Sequence, residues 1–136
     1  MDSLVFAVDG KPETQGSTRA FMPKGARFPI ITSTNPKLKA WRTRVAAAAL
    51  EAMQESNFRF IEDGPIRLDV AFYFVPPRSK RVGKYKDTRG DWDKYSRALS
   101  DAMTGTVYRD DSQIAVAFVE KLYGEIARTE VIITAL

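Results

Sequence analysis

The stretch that most restricts this chain runs from Ile66 to Val75, where Ile66, Leu68, Val70, Phe72 and Phe74 alternate with Arg67, Asp69, Ala71, Tyr73 and Val75. A period of two with one wholly apolar side is the pattern of a β-strand that buries one face. Gly64-Pro65 before it and Pro76-Pro77 after it fix its ends. A strand of this kind is not stable alone, so it commits the chain to a sheet with a covering layer. Further strands follow the same logic. Leu4, Phe6 and Val8 alternate with Val5 and Ala7 up to the turn pair Asp9-Gly10, and Glu130 to Ala135 ends the chain. The run Gln113 to Tyr123 is apolar on both faces from Ile114 to Val119, which predicts a place in the middle of the sheet. Between Lys11 and Pro29 the prolines and glycines indicate loop, with Phe28 to Thr32 as a short edge strand.

Two segments have helical spacing instead. Thr34-Asn35-Pro36 reads as a helix start, with Thr34 or Asn35 as cap, followed by Leu38, Trp41, Val45, Ala48, Ala49, Ala52 and Met53 on one stripe through about Gln54. The second helix spans about Asp93 to Met103, with Tyr95, Ala98, Leu99, Ala102 and Met103 on its core side. The expected fold is α+β, a two-layer sandwich with a mixed β-sheet covered by two helices. A length of 136 residues suits one domain spanning 1–136.

Composition then limits the chemistry. The chain has no cysteine and no histidine. That excludes disulfides, thiolate or imidazole metal sites, cysteine nucleophiles and any Ser-His-Asp triad. Carboxylates, lysine, arginine, hydroxyls or an oxygen-bound metal remain. The net charge of +4 and pI near 9.4 favour polyanionic partners. The charge is unevenly placed. Six basic residues, Arg78, Lys80, Arg81, Lys84, Lys86 and Arg89, stand against Asp87 alone between Arg78 and Gly90. Seven basic residues and no acid lie between Gly16 and Arg44, among them Arg19, Lys37, Lys39, Arg42 and Arg44. The last four crowd the N-terminal end of a helix, where cations oppose the macrodipole. Phosphate contact and simple solvation both account for that placement. No apolar run approaches the roughly 20 residues of a membrane span, and the expected location is the cytoplasm.

Between Asp91 and Asp111 the balance reverses, with five aspartates against three basic residues. Asp91-x-Asp93 precedes the second helix, Asp101 lies within it, and Asp110-Asp111 precedes the long strand. If the helix folds the chain back, these carboxylates converge. Two unit charges near 4 Å repel by about 4 kcal/mol at an effective dielectric of about 20, so such a cluster calls for a cation or a raised pKa. Magnesium fits an all-oxygen site of a few carboxylates and waters. Each residue also has an ordinary structural reading. Asp91 or Asp93 can cap the helix, Arg97 can pair with Asp93 or Asp101 along it, and Asp110-Asp111 can form a turn.

The segment Gly90 to Gly124, GDWDKYSRALSDAMTGTVYRDDSQIAVAFVEKLYG, resembles the RusA family of Holliday-junction resolvases. That family's pattern is D-x-D-N-x-x-K, then a helix bearing D-A-L, then D-D-x-Q-[IV] and a later lysine. Asp91, Asp93, Asp101-Ala102-Met103, Asp110-Asp111-Ser112-Gln113-Ile114 and Lys121 match it in order. The opening strand, Gly10-Lys11-Pro12, the basic loop and the helix bearing Trp41 are also similar. The resemblance implies a homodimeric, magnesium-dependent endonuclease, with manganese as a substitute ion, that nicks two strands of a four-way DNA junction symmetrically in recombination and repair. It implies Asp91, Asp93 and Asp111 as catalytic metal ligands, with Asp110 as a further candidate. Two positions depart from the pattern. Lys94 stands where the family has asparagine, and Arg97 where it has lysine. Arginine keeps the charge but does not give up a proton, so either Lys94 supplies the amine or Arg97 acts electrostatically.

The reading is a nuclease in which Lys94, Arg97 and Lys121 stabilise developing charge. Arg19, Lys37, Lys39, Arg42, Arg44, Arg78, Lys80, Arg81, Lys84, Lys86, Arg89 and Lys121 are then the DNA-binding set. Two alternatives stay open at this level: a junction-binding module that does not cleave, and a nuclease for other branched DNA.

Overall fold

The computed structural model describes residues 3–16, 18–33 and 35–136, and leaves the side chains of 18–21 and 31–33 outside the description. Strand β1 (Ser3–Asp9), a small hairpin of β2 (Thr18–Phe21) and β3 (Ile30–Ser33), helix α1 (Leu38–Ser56), β4 (Ile66–Phe74), helix α2 (Trp92–Met103), β5 (Ile114–Tyr123) and β6 (Arg128–Ala135) follow in order. The main sheet has the order β1-β6-β4-β5, parallel between β4 and β5 and antiparallel elsewhere. Parallel neighbours need a crossover, and here α2 supplies it. The architecture is α+β, with a mixed sheet and two helices.

Alternation decides which face is buried. Leu4, Phe6 and Val8 of β1, the five predicted residues of β4, and Val131 and Ile133 of β6 are all buried. Trp41, Val45 and Ala49 of α1 and Tyr95, Ala98, Leu99 and Met103 of α2 complete the same core. Phe72 is fully buried, which stabilises by about 1.5–3 kcal/mol relative to leaving the ring in water.

Three expectations change. β5 lies at the edge of the sheet, and β4 and β6 occupy its middle. Its double-sided apolarity has another cause. Ala117 and Val119 share the inner face with Leu68 and Val70, while Val116 and Phe118 on the outer face are 44% and 55% exposed. Helix α1 begins at Leu38, with Lys37 in the cap position and no side-chain cap. Asn35 instead accepts the Lys37 N–H on Oδ1 at 3.1 Å, closing the turn that Pro36 starts; Thr34 lies outside the described residues. Finally, the proline-rich loop contains β2, paired with β3 apart from the main sheet.

Candidate active site

The first turn of α2 is built from the loop that precedes it. Gly90 has φ +107°, and a Cβ there would lie 2.7 Å from the Tyr95 ring, so glycine is required twice over. Lys121 of β5 reaches across to this turn, its ammonium donating to the Gly90 carbonyl at 2.6 Å and the Thr88 carbonyl at 3.0 Å. Asp91 follows in extended conformation as the N-cap of α2, without a side-chain cap bond. Its carboxylate is therefore free of capping duty, and Lys94 Nζ lies 3.9 Å from it. The loop 11–16 touches the same turn, since the Gln15 N–H donates to the Lys94 carbonyl at 3.0 Å.

Asp93 sits inside the first turn and points elsewhere. The helix starts between the two aspartates of the DxD pair, which leaves Asp91 at the N-cap and Asp93 in the first turn. Asp93 and Asp111 line one cavity of about 340 Å³, with Trp92, Ser96, Arg97 and Ser100 from α2 and Ala117 from β5. Arg97 Nη2 is 3.9 Å from Asp93. Asp101, two turns along α2 from Asp93, is held above the ordinary carboxyl range. Burial is the main cause; Arg42 opposes it, and a hydrogen bond to Asp111 and the charge of Asp111 reinforce it. The folded chain therefore brings Asp93, Asp101, Asp111 and Arg97 to one region, with Asp91 at its margin. Among the described residues no three carboxylates reach metal-ligand spacing together.

Asp110 takes a different part from its neighbour. Its carboxylate accepts from the Ser112 N–H and hydroxyl, and the Gln113 side chain accepts the Asp110 N–H at 2.9 Å. This reciprocal capping box starts a single 3-10 turn, Asp111–Gln113. The Ser112 bonds hold the Asp110 carboxyl below the ordinary range. Lys121 is held below the ordinary lysine range by burial and by Lys86 nearby.

The cations fall into separate places. Lys39 and Arg42 line a cavity of about 610 Å³ with Asn35, Gln15, Thr43 and Asp101, so α1 contributes charge to the rear of the acidic site. Lys37 is exposed, and the Arg44 guanidinium lies against Gly10. Arg78, Lys80, Arg81, Lys84 and Arg89 are exposed, while Lys86 is half-buried. The side chain of Arg19 lies outside the described residues. The loop is held to the free edge of β5: the Lys86 N–H donates to the Lys121 carbonyl and the Tyr123 N–H to the Lys84 carbonyl, both at 2.9 Å. That pairing and the two-carbonyl hold of Lys121 were missed from sequence, whereas Asp101 was already part of the acidic cluster read there.

The family model for Endodeoxyribonuclease RusA matches residues 9–134. The chain belongs to the RusA endodeoxyribonuclease family. Two relatives place it further. It is 32% identical to uncharacterized protein YqaN of Bacillus subtilis strain 168, over 98% of this chain and 96% of that one. It is 36% identical to the crossover junction endodeoxyribonuclease rusA of Lactococcus phage r1t, over 55% of this chain and 58% of the phage protein. As a RusA-family nuclease the chain has its acidic cavity where α2 meets the start of β5, and its basic loop along the edge of the same strand. No helix among the described residues is long and apolar enough to cross a membrane.

Proposed function

We propose that this RusA-family chain is a magnesium-dependent, structure-selective endodeoxyribonuclease that resolves four-way junctions by paired symmetric nicks, as a homodimer of single domains, in recombination and repair. The observation that supports this best is the meeting of Asp93 and Asp111 with Arg97 at one cavity. The donor set suits magnesium, which is satisfied by one or two carboxylates together with waters and phosphate oxygens. The Asp101 carboxyl, raised chiefly by burial and further by Asp111, adds a third acidic group next to this pair. Asp93 and Asp111 would hold the ion, with Asp91 contributing from the N-cap. A bound divalent ion lowers the pKa of water and stabilises the leaving oxygen; manganese supplies the same chemistry.

The chain's own residues do the rest. Arg97 lines the cavity beside Asp93, where it would face a bound phosphate, and Lys94 stands by Asp91 at the N-cap. Lys121 has two protons committed to backbone carbonyls, so its part is to fix the turn that presents Asp91. The DNA arms would run over the exposed cations of the loop at 78–89 and over the start of α1.

Two copies fit the open side of the sheet. Val5, Val116, Phe118 and Ile132 are 65%, 44%, 55% and 40% exposed on strands whose other face is core. Asp69, Glu120 and Glu130 stand among them; a mixed face with exposed large apolar side chains suits a contact surface, and a second copy related by a two-fold axis would set two cavities against two strands. The printed name of the phage relative, a crossover junction nuclease, supports the choice of junction. The test is a panel of synthetic four-way, three-way, flapped and linear DNAs with magnesium, comparing wild type with Asp91→Asn. Paired nicks in the four-way junction are expected from wild type alone. Junction binding without any cleavage would replace this reading with that of a binding module, and preferred cutting of another branched DNA would change the substrate.

A further inference from the structure

We propose that the pocket between the end of β4, the basic loop and β5 is a subsite for one unstacked nucleotide, its phosphate held by Lys80, Lys86 and Arg89 and its base set against Tyr123. The pocket has a volume of about 320 Å³, at the small end of the range for ligand sites. Its inner wall is rigid. Phe74 and Tyr95 are buried, and their ring centroids lie 5.2 Å apart. Tyr123 and Thr88 form the side nearest β5. Lys86 stands between the rings, 5.4 Å from the centre of Phe74 and 5.9 Å from that of Tyr123, and donates to the Thr88 hydroxyl.

Charge decides what this pocket accepts. Four cations line it, Lys11, Lys80, Lys86 and Arg89, and no carboxylate does. Among the described residues none of the four is in an ion pair. Bringing these cations together is unfavourable until an anion arrives. A bare anion would not need aromatic walls, and a neutral ring would not need four cations. Both together are the combination by which single strands are held, with cations along the backbone and rings under the bases.

The pocket is tied to the acidic site through the backbone. Tyr95, part of its floor, is the ring that excludes a side chain at Gly90, and Lys121 holds the Gly90 carbonyl. Asp91 is the next residue. A nucleotide seated here would therefore flank the scissile phosphate, which makes the pocket a determinant of where a strand is cut. That last step rests on the nuclease reading; binding of the nucleotide does not.

The test uses the whole chain without metal or junction. Backbone amide shifts are followed by NMR while dAMP, deoxyadenosine or inorganic phosphate is added. The expected result is that dAMP moves the amides of Lys86, Thr88 and Tyr123 and binds at least tenfold more tightly than either fragment. Arg89→Ala, an exposed change, and Tyr123→Leu should each weaken dAMP tenfold. Equal affinity for phosphate and dAMP would overturn the proposal, as would unchanged dAMP binding in a folded Arg89→Ala variant. Loss of dAMP binding leaves junction cleavage to be scored separately. A wild type that binds dAMP but cuts no DNA supports the subsite and overturns only the nuclease reading.

Discussion

Asp110 and Asp111 are adjacent carboxylates with unlike surroundings. Asp110 is engaged by Ser112 and starts a turn, whereas Asp111 faces the cavity that it shares with Asp93. Asp110→Ala should therefore cost about 0.5–2 kcal/mol of stability through the lost cap, read as a shift in the denaturant midpoint, and should leave junction cleavage within a few-fold of wild type. A loss of cleavage as large as that of Asp111→Asn would place Asp110 among the ligands. Lys121 makes a second contrast. A phosphate-binding lysine, when neutralised, weakens DNA binding. A lysine that holds two carbonyls at the Asp91 turn should, as Lys121→Met, lower the cleavage rate by roughly 10–100-fold, the usual effect of groups that support metal ligands. Its junction Kd measured in calcium should change much less, and the magnesium needed for half-maximal rate should rise. At this scale the sequence was partly legible. Residue type and spacing marked the aspartates, but nothing local told a capping aspartate from a cavity one, or a tethering lysine from an exposed one.

At the scale of elements, α2 organises the site. Asp93, Arg97 and Asp101 fall four residues apart and so on one face, opposite the apolar stripe that packs the helix onto the sheet. This geometry gives the acidic region a pH dependence. The Asp101 carboxyl is raised in the folded chain, chiefly by burial. A raised carboxyl favours the folded state below the ordinary carboxylate range, and that advantage is lost as pH climbs through the raised value. Near neutrality Asp101 and Asp111 repel, and a divalent ion relieves the repulsion. Calcium or magnesium at one fixed concentration, 100 times the wild-type Kd at pH 7.5, should therefore raise Tm at that pH by on the order of 10 °C, and by much less at pH 4. Asp101→Asn should raise Tm without metal and narrow that gain. Equal gains at both pH values would contradict the account. The apolar periodicities of β4 and α2 were readable in full because both elements bury one face. β5 was misplaced because its outer face is apolar for a reason other than sheet centrality.

For the whole molecule, that outer face is the proposed surface of assembly. Val116 and Phe118 on β5, Ile132 on β6 and Val5 on β1 are exposed on the face turned from the core, with the Arg67–Asp69 ion pair of β4 between them. Phe118→Glu should shift the chain from dimer to monomer in light scattering, with the fold intact by circular dichroism; a monomeric wild type would remove the dimer from the account. The pairing of the basic loop with β5 could not be read from sequence. It depends on contacts between segments distant along the chain, whereas periodicity reports only each segment's own faces. The central claim is that Asp93 and Asp111 hold the ion that cuts. The most direct measurement is single-turnover nicking of a four-way junction in magnesium by wild type, Asp93→Asn and Asp111→Asn, with each variant's junction affinity measured in calcium. The account predicts metal-dependent nicking by wild type and at least about a 100-fold slower rate in both variants, with binding retained. Wild-type rates in either folded variant would contradict it.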